Sequence, residues 1–338
     1  MAVDGRIARL ASHIQNHQAL PTALSGSMVS GASTQSYVRR HWDQVVPYVG
    51  HESALIWPIF RGIDGKSDGG WANTVMNGMT GWTIHRVQGR RDGDYHAHRD
   101  AEQLYYFLTP AKMLIDGATI SVVPGDLLHV PPRVKHQLLN AHSEDWVEHL
   151  LVTAPVSAAM LAELDATPGV FKEQLVRNYR DASPTVVAHP GTRNGGSHGA
   201  HAHHCAIEWD LFHGHKSHPG TPPGPTPLGG YAGGVEPALA EPGHDPINPP
   251  PATLLGLTAA KLQRLQPHQD SENTPASPDR EHIYFITDGE GVVAVDGVAV
   301  DVRQGDSVYV PKGHAVRLVN KSDGWLECLT LSAPDTRA

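Results

Sequence analysis

Cysteine is nearly absent: Cys205 and Cys328 are the two in 338 residues. Two thiols cannot build a disulfide framework, and they suit a reducing compartment, so a cytoplasmic protein is expected. Charge is sparse at 18%, which excludes a long coiled coil or a charged disordered chain. Positive charge is the scarcer sign. Lys and Arg number 26 against 35 Asp and Glu, a net charge of −9 with His neutral. No basic run exceeds a pair such as Arg90-Arg91. Binding to nucleic acid or an anionic membrane needs clustered positive charge, so neither is expected as a partner. Long apolar runs are also missing. Nothing approaches the ~18 consecutive apolar residues of a membrane-spanning helix, and the opening MAVDGRIARL lacks the apolar centre of a secretory signal.

Histidine is abundant instead, at 23 residues, and so are the turn formers, with 34 Gly and 27 Pro. Apolar residues make up 40% of the chain, enough for two cores at this length. The composition is that of a turn-rich, mostly β protein.

The chain contains one unit twice. Glu102–Asn140 aligns with His282–Asn320 at an offset of 180, placing Asp116-Gly117 on Asp296-Gly297, Gly125-Asp126 on Gly305-Asp306, Pro131 on Pro311 and Asn140 on Asn320. With one residue deleted, WVEHLLVTAP (146–155) then matches WLECLTLSAP (325–334). Within each unit, short apolar segments alternate with Asp-Gly, Gly-Asp and Pro turns, the pattern of an antiparallel sandwich or barrel.

The spacing divides the chain into a helical N-terminal arm (1–75), a first barrel (76–160), a helical connector (161–183), a linker (184–251) and a second barrel (252–338). The arm is read from Ile7, Leu10 and Ile14, and the connector from VSAAMLAELDATPGVFKEQLVRNYR (156–180). The linker holds 13 Pro and 12 Gly, which favours irregular backbone, although CAIEWDLF (205–212) reads as one strand.

A metal-ligand pattern lies in the first unit. In GDYHAHRDAEQLYYF, His96 and His98 are two apart, so on a strand both imidazoles face one side. Glu102 has the same parity, and His136 arrives on a later strand. Three imidazoles and a carboxylate suit one divalent transition metal. Six-coordinate geometry then leaves two positions open.

At these residues the chain resembles the cupin superfamily. Its first motif is Gly, five residues, His-x-His, three or four residues, Glu, six residues, Gly; His96, His98 and Glu102 match, whereas the last Gly falls on Thr109 and the first is only approximated by Gly89. Its second motif is Gly, five residues, Pro-x-Gly, two residues, His, three residues, Asn; Gly125, Pro131, His136 and Asn140 match, with Arg133 replacing the middle Gly. The resemblance covers about 80–160 and 252–335. It implies an all-β protein of two cupin barrels (double-stranded β-helix, jelly-roll-like) with short flanking helices. It implies a metal held by His96, His98, Glu102 and His136: Fe(II), with Mn(II) or Ni(II) as alternatives.

In the second unit the 180 offset puts Ala276, Pro278, His282 and Val316 at the ligand positions, so no metal is expected there. A two-barrel chain with one such site is similar to the dioxygenases that cleave gentisate, hydroxynaphthoate or quercetin. That likeness implies cleavage of a hydroxylated aromatic or enol-type small molecule with dioxygen, in a homo-oligomer. A non-oxidative decarboxylase, lyase or isomerase of an organic acid, or a binding protein without turnover, are the other readings of the same ligands. Tyr95, Leu104, Tyr106 and Leu138 are candidate neighbours of the site, as are Trp82, Arg86 and His129. Glu148 recurs as Glu327 in the unit that lost the ligands, which marks it as structural. The His-rich run 198–218, with seven His beside Cys205, reads as a solvated linker or a second metal-binding loop.

Overall fold

The computed structural model describes residues 36–63, 74–166, 176–179, 185–188, 204–214, 252–271 and 273–335. The expected helices before residue 36 and most of the linker, including His198, His201, His203, His215 and His218, lie outside the described residues.

The first half runs β1 (Val38–His41), β2 (Tyr48–Gly50), β3 (Ala54–Gly62), β4 (Thr74–Met76), β5 (Gly81–Val87) and β6 (Ala101–Phe107). It continues through β7 (Ala111–Ile115), β8 (Ala118–Val122), β9 (Leu127–Val130), β10 (His136–Leu139) and β11 (Val147–Pro155). One helix, α1 (Ala158–Ala166), precedes β12 (Val176–Arg177), β13 (Thr185–Ala188) and β14 (His204–Gly214). The second half adds β15 (Ala252–Leu254), β16 (Ala259–Leu265), β17 (Arg280–Asp288), β18 (Glu290–Val295) and β19 (Val298–Arg303), then β20 (Asp306–Val310), β21 (Val316–Val319) and β22 (Leu326–Pro334).

Each barrel pairs an eight-stranded sheet with a three-stranded one. The first barrel sets β12-β9-β6-β11-β5-β3-β2, with β4 alongside β3, against β10-β7-β8. The second sets β1-β20-β17-β22-β16-β14-β13, with β15 alongside β14, against β19-β18-β21. The halves exchange edge strands: β1, from the start of the chain, pairs with β20, and β12 pairs with β9. The Asp-Gly turns act as expected. Asp116 and Gly117 have φ of 45° and 86°, Asp296 and Gly297 49° and 81°, the double left-handed geometry that closes two-residue hairpins.

Two segments differ from the sequence expectation. Residues 38–62, placed in a helical arm, hold three strands and a single 3-10 turn at Trp42–Gln44; ALIWPIFRG buries both faces of β3 against the sheet. Within the supposed linker, β14 is the counterpart of β3. WPIFRG (57–62) and WDLFHG (209–214) carry the same irregularity, at Ile59 and at Leu211. The repeat therefore begins earlier in both halves than the 76 and 252 boundaries allow.

Three cores result. One fills the first barrel (Ile56, Tyr105, Phe107, Met113, Leu128, Leu151) and one the second (Tyr284, Val293, Val308, Leu318, Cys328). The third and largest lies between the two large sheets and includes Trp82, Tyr106, Phe60, Trp209, Phe285 and Tyr309. There Trp82 Nε1 donates to Ser307 Oγ at 2.8 Å.

Candidate metal centre

Three of the four expected ligands converge. His96 and His98 sit on extended backbone before β6, and His136 opens β10; the backbones of His96 and His136 bond each other directly. One nitrogen from each ring lies within 4.8 Å of the others. The Nε2 atoms of His96 and His98 are 3.2 Å apart. His136 Nε2 is buried with no hydrogen-bond partner. The opposite nitrogens are spoken for: His136 Nδ1 donates to Val134 O at 3.0 Å, and His96 Nδ1 to Asp94 O at 3.1 Å. Those bonds aim Nε2 inward, as outer partners do in metal sites. Burial and the neighbouring rings His96 and His98 push the His136 pKa down to about 4, and burial followed by His96 lowers that of His98. His98 and His136 are thus held in the neutral form, the one that ligates. The donor set fits a divalent cation.

Glu102 is not among them, and this corrects the sequence expectation. The parity argument assumed one continuous strand from His96 onward, but the chain bends at Arg99 and Asp100 before β6 begins at Ala101. Glu102 therefore faces the other side of β6, into the contact between barrels. Its Oε2 accepts from Leu255 N and His129 Nε2, both at 2.8 Å, and its Oε1 from Gly256 N at 2.8 Å and Leu257 N at 2.6 Å. Gln103 takes the inward position and hydrogen-bonds His98. It also corresponds to the longer of the two spacings in the cupin motif.

The second barrel repeats the arrangement. Glu281 Oε2 accepts from Asn77 N (2.7 Å) and the Tyr309 hydroxyl (3.0 Å), and its Oε1 from Gly78 N (2.9 Å) and Met79 N (2.8 Å). Each barrel thus sends a buried carboxylate into three successive amides of the other. The glycines permit the approach: a Cβ on Gly78 would lie 1.9 Å from Pro334 O, and one on Gly256 2.5 Å from Pro155 O. In this strand the repeat offset is 179, pairing Glu102 with Glu281, Gln103 with His282 and Tyr105 with Tyr284. The bridge of Thr274 to Val316 matches that of His96 to His136. Thr274, Ala276 and Val316 therefore stand where the three histidines stand in the first barrel, rather than Ala276, Pro278 and Val316.

The pocket beside the triad opens to solvent. Sequence reasoning missed several of its walls. Asp94 Oδ1 lies 2.8 Å from His51 Nδ1, and its Oδ2 3.5 Å from His96 Nδ1, so it supports His96 from outside. The Asp94-x-His96-x-His98 spacing was a readable signal for it; His51, in a turn with φ 47°, had none. The Tyr105 hydroxyl donates to Gln103 Oε1 at 2.7 Å, and burial, then the charge of Asp94, push its pKa up. His85 and His149 form the inner wall.

Of the expected neighbours, Leu138 lines the pocket. Tyr95 is exposed, and Leu104, Tyr106 and Trp82 pack between the barrels. His129 serves Glu102. Arg86 pairs with Glu148 at 2.7 Å and stacks on Trp146; Arg264, Glu327 and Trp325 repeat that trio in the second barrel. Burial raises the Glu148 pKa to about 7, with Arg86 opposing. No helix among the described residues is long and apolar enough to cross a membrane.

The architecture is the all-β cupin fold. Residues 261–332, within the barrel lacking the triad, match the family described as Cupin domain. Solved structures with the same fold include a putative glyoxylate-induced protein from Pseudomonas aeruginosa (14% identity, TM-score 0.57, 94% of each chain covered). Oxalate decarboxylase from Lactobacillus farciminis, in its formate complex, is similar at 11% identity and TM-score 0.55, covering 91% of this chain and 89% of that one. Hazelnut (Corylus avellana) vicilin is similar at 11% identity and TM-score 0.52, covering 87% and 85%. At these identities the likeness concerns the fold. No curated protein matches the chain.

Proposed function

We propose that the chain is a metal-dependent enzyme whose centre is His96, His98 and His136 in the first barrel, and that it cleaves a hydroxylated aromatic or enol-type small molecule with dioxygen. The observation that carries this reading is the buried, unpartnered His136 Nε2 aimed at the Nε2 atoms of His96 and His98. With Glu102 engaged elsewhere, no carboxylate joins the three imidazoles. A divalent ion there keeps its full charge and favours an anionic, chelating oxygen pair such as a catecholate or enolate. When bound, Fe(II) supplies the electron transfer between substrate and dioxygen; Mn(II) and Ni(II) suit the same donors.

The residues of the chain provide the rest. Asp94 and Val134 fix the ring orientations, Gln103 and Tyr105 hold His98 from the inner side, and Leu138, Met113 and Leu151 keep one wall dry. The test is metal analysis of freshly purified protein followed by oxygen uptake on iron-loaded enzyme with a panel of catechols, hydroxynaphthoates, gentisate and flavonols. One iron per chain and substrate-dependent uptake are expected. Turnover under nitrogen would replace this reading with a lyase, decarboxylase or isomerase, and no turnover on any compound in either atmosphere would leave a binding protein.

A further inference from the structure

His85 and His149 face each other across β5 and β11 inside the first barrel. Their rings are 5.0 Å apart and both line the pocket. They are not ligands of the triad. His51 stands 5.9 Å from His85 on one side, and Tyr105 stands 5.2 Å from His149 on the other while lying 6.2 Å from His136. The pair is thus the far end of the pocket that begins at the metal centre. His149 is 2% exposed and His85 5%, and His149 Nδ1 has no hydrogen-bond partner. A buried polar atom left unpaired is costly unless something occupies the space before it.

The second barrel supplies the control. The same cross-strand pair there is Cys328 and Gln263. Gln263 Oε1 accepts from Thr330 Oγ1 at 3.2 Å, and that hydroxyl lies 3.9 Å from Cys328 Sγ. Those polar atoms are satisfied within the barrel. The barrel that lacks the triad thus also lacks the His pair.

We propose that His85 and His149 are a second recognition point, taking a neutral hydroxyl at the end of the substrate remote from its chelating oxygens. This rests on the metal-centre reading above. Neutral imidazoles each offer one donor and one acceptor, which complements a hydroxyl. Burial, reinforced between the two rings and by His51, keeps both neutral; it lowers the His149 pKa to about 3. Among the described residues lining the pocket there is no Lys or Arg, and the one charged side chain is Asp94. A carboxylate at the inner end would be buried without a counter-charge, so the pair selects against carboxylated analogues.

The test uses zinc-loaded full-length protein, so that no oxidation intervenes, with nitrocatechol as a chromogenic ligand. Methylcatechol, dihydroxybenzyl alcohol and dihydroxybenzoate compete for it. The alcohol is expected to bind roughly fivefold more tightly than methylcatechol, the ratio one neutral hydrogen bond supplies, and the benzoate more weakly than both. In His85→Gln, which installs the side chain the second barrel folds around, the alcohol loses its advantage over methylcatechol, whatever change the two ligands share. His149→Leu provides the same comparison on the partner ring, with thermal melting to establish folding. A preference that survives in both variants, or tightest binding by the benzoate, overturns the proposal. If nitrocatechol fails to bind the zinc-loaded wild type at all, the chelating-substrate reading itself falls.

Discussion

The two barrels share strand order, turn geometry, a buried inter-barrel carboxylate and an outer Arg-Glu-Trp trio, yet they differ at every histidine of the first barrel's triad and inner wall. Where the first has His96, His98, His136, His85 and His149, the second has Thr274, Ala276, Val316, Gln263 and Cys328. What both keep is architecture; what one keeps alone is chemistry. The comparison works as an internal control, because each pair of equivalent positions experiences nearly the same backbone. It assigns Glu102 to architecture, since Glu281 does the same work in a barrel with no cluster of ligands among its described residues.

The sharpest way to break the comparison is to remove one ring from each barrel. His98→Ala is expected to abolish metal occupancy at the first barrel, whereas His282→Ala in the second leaves the metal-to-protein ratio unchanged. Elemental analysis after dialysis reads both. Because the His-rich run can take up nickel or zinc adventitiously, the site's occupancy is read as the difference between the wild type and His98→Ala.

The carboxylates come next. Glu102→Ala strands three buried amides and the His129 ring. A loss of about 3–5 kcal/mol is expected, by analogy with breaking a buried hydrogen-bonded charge pair. Denaturant midpoints measure it. The refolded variant is expected to bind metal as the wild type does, which a metal ligand could not. Equal losses of stability and metal would return Glu102 to the site.

Much of this was legible in the sequence. The repeat, the Asp-Gly hairpins and the three histidines follow from residue type and spacing alone. Two things were not. The strand character within 38–62 was hidden because β1 pairs with the distant β20 and because β3 is buried on both faces, which leaves no period-two alternation to read. The fate of Glu102 was hidden by a bend at Arg99 and Asp100 that broke the period-two parity. Yet the correction was within reach. AEQLYYF and REHIYFI align better at an offset of 179, where Glu meets Glu and Tyr meets Tyr. A carboxylate retained in the unit without ligands then identifies itself as structural, by the argument that already held for Glu148 and Glu327.

A smaller effect separates ligand from support. Asp94→Asn keeps the shape beside His96 but removes the charge facing its Nδ1. Losing such an outer partner weakens metal binding by about 10- to 100-fold. Competition with a chelator is expected to show that loss with stoichiometry preserved.

The least change is expected from pH, and it distinguishes the two clasps themselves. Burial pushes Glu281 up to about 7 despite the amides of Asn77, Met79 and Gly78 and the Tyr309 hydroxyl. Burial acts on Glu102 too, but the hydrogen bond and charge of His129, with the amides of Leu255 and Leu257, outweigh it and lower its pKa. The signs are opposite. A raised carboxyl binds its proton more tightly when folded, so the stability from Glu281 is complete below the unfolded value near 4.5 and is lost as pH rises through about 7. The contribution of Glu102 is complete above that unfolded value and fades only as pH falls beneath it. Glu281→Gln, which mimics the protonated form, is therefore expected to flatten the decline in denaturant midpoint between pH 4.5 and 7, leaving the acid limb intact. If the wild-type and Glu281→Gln curves run parallel through that window, the two clasps are electrostatically alike, and His129 gives the first barrel no advantage over Tyr309.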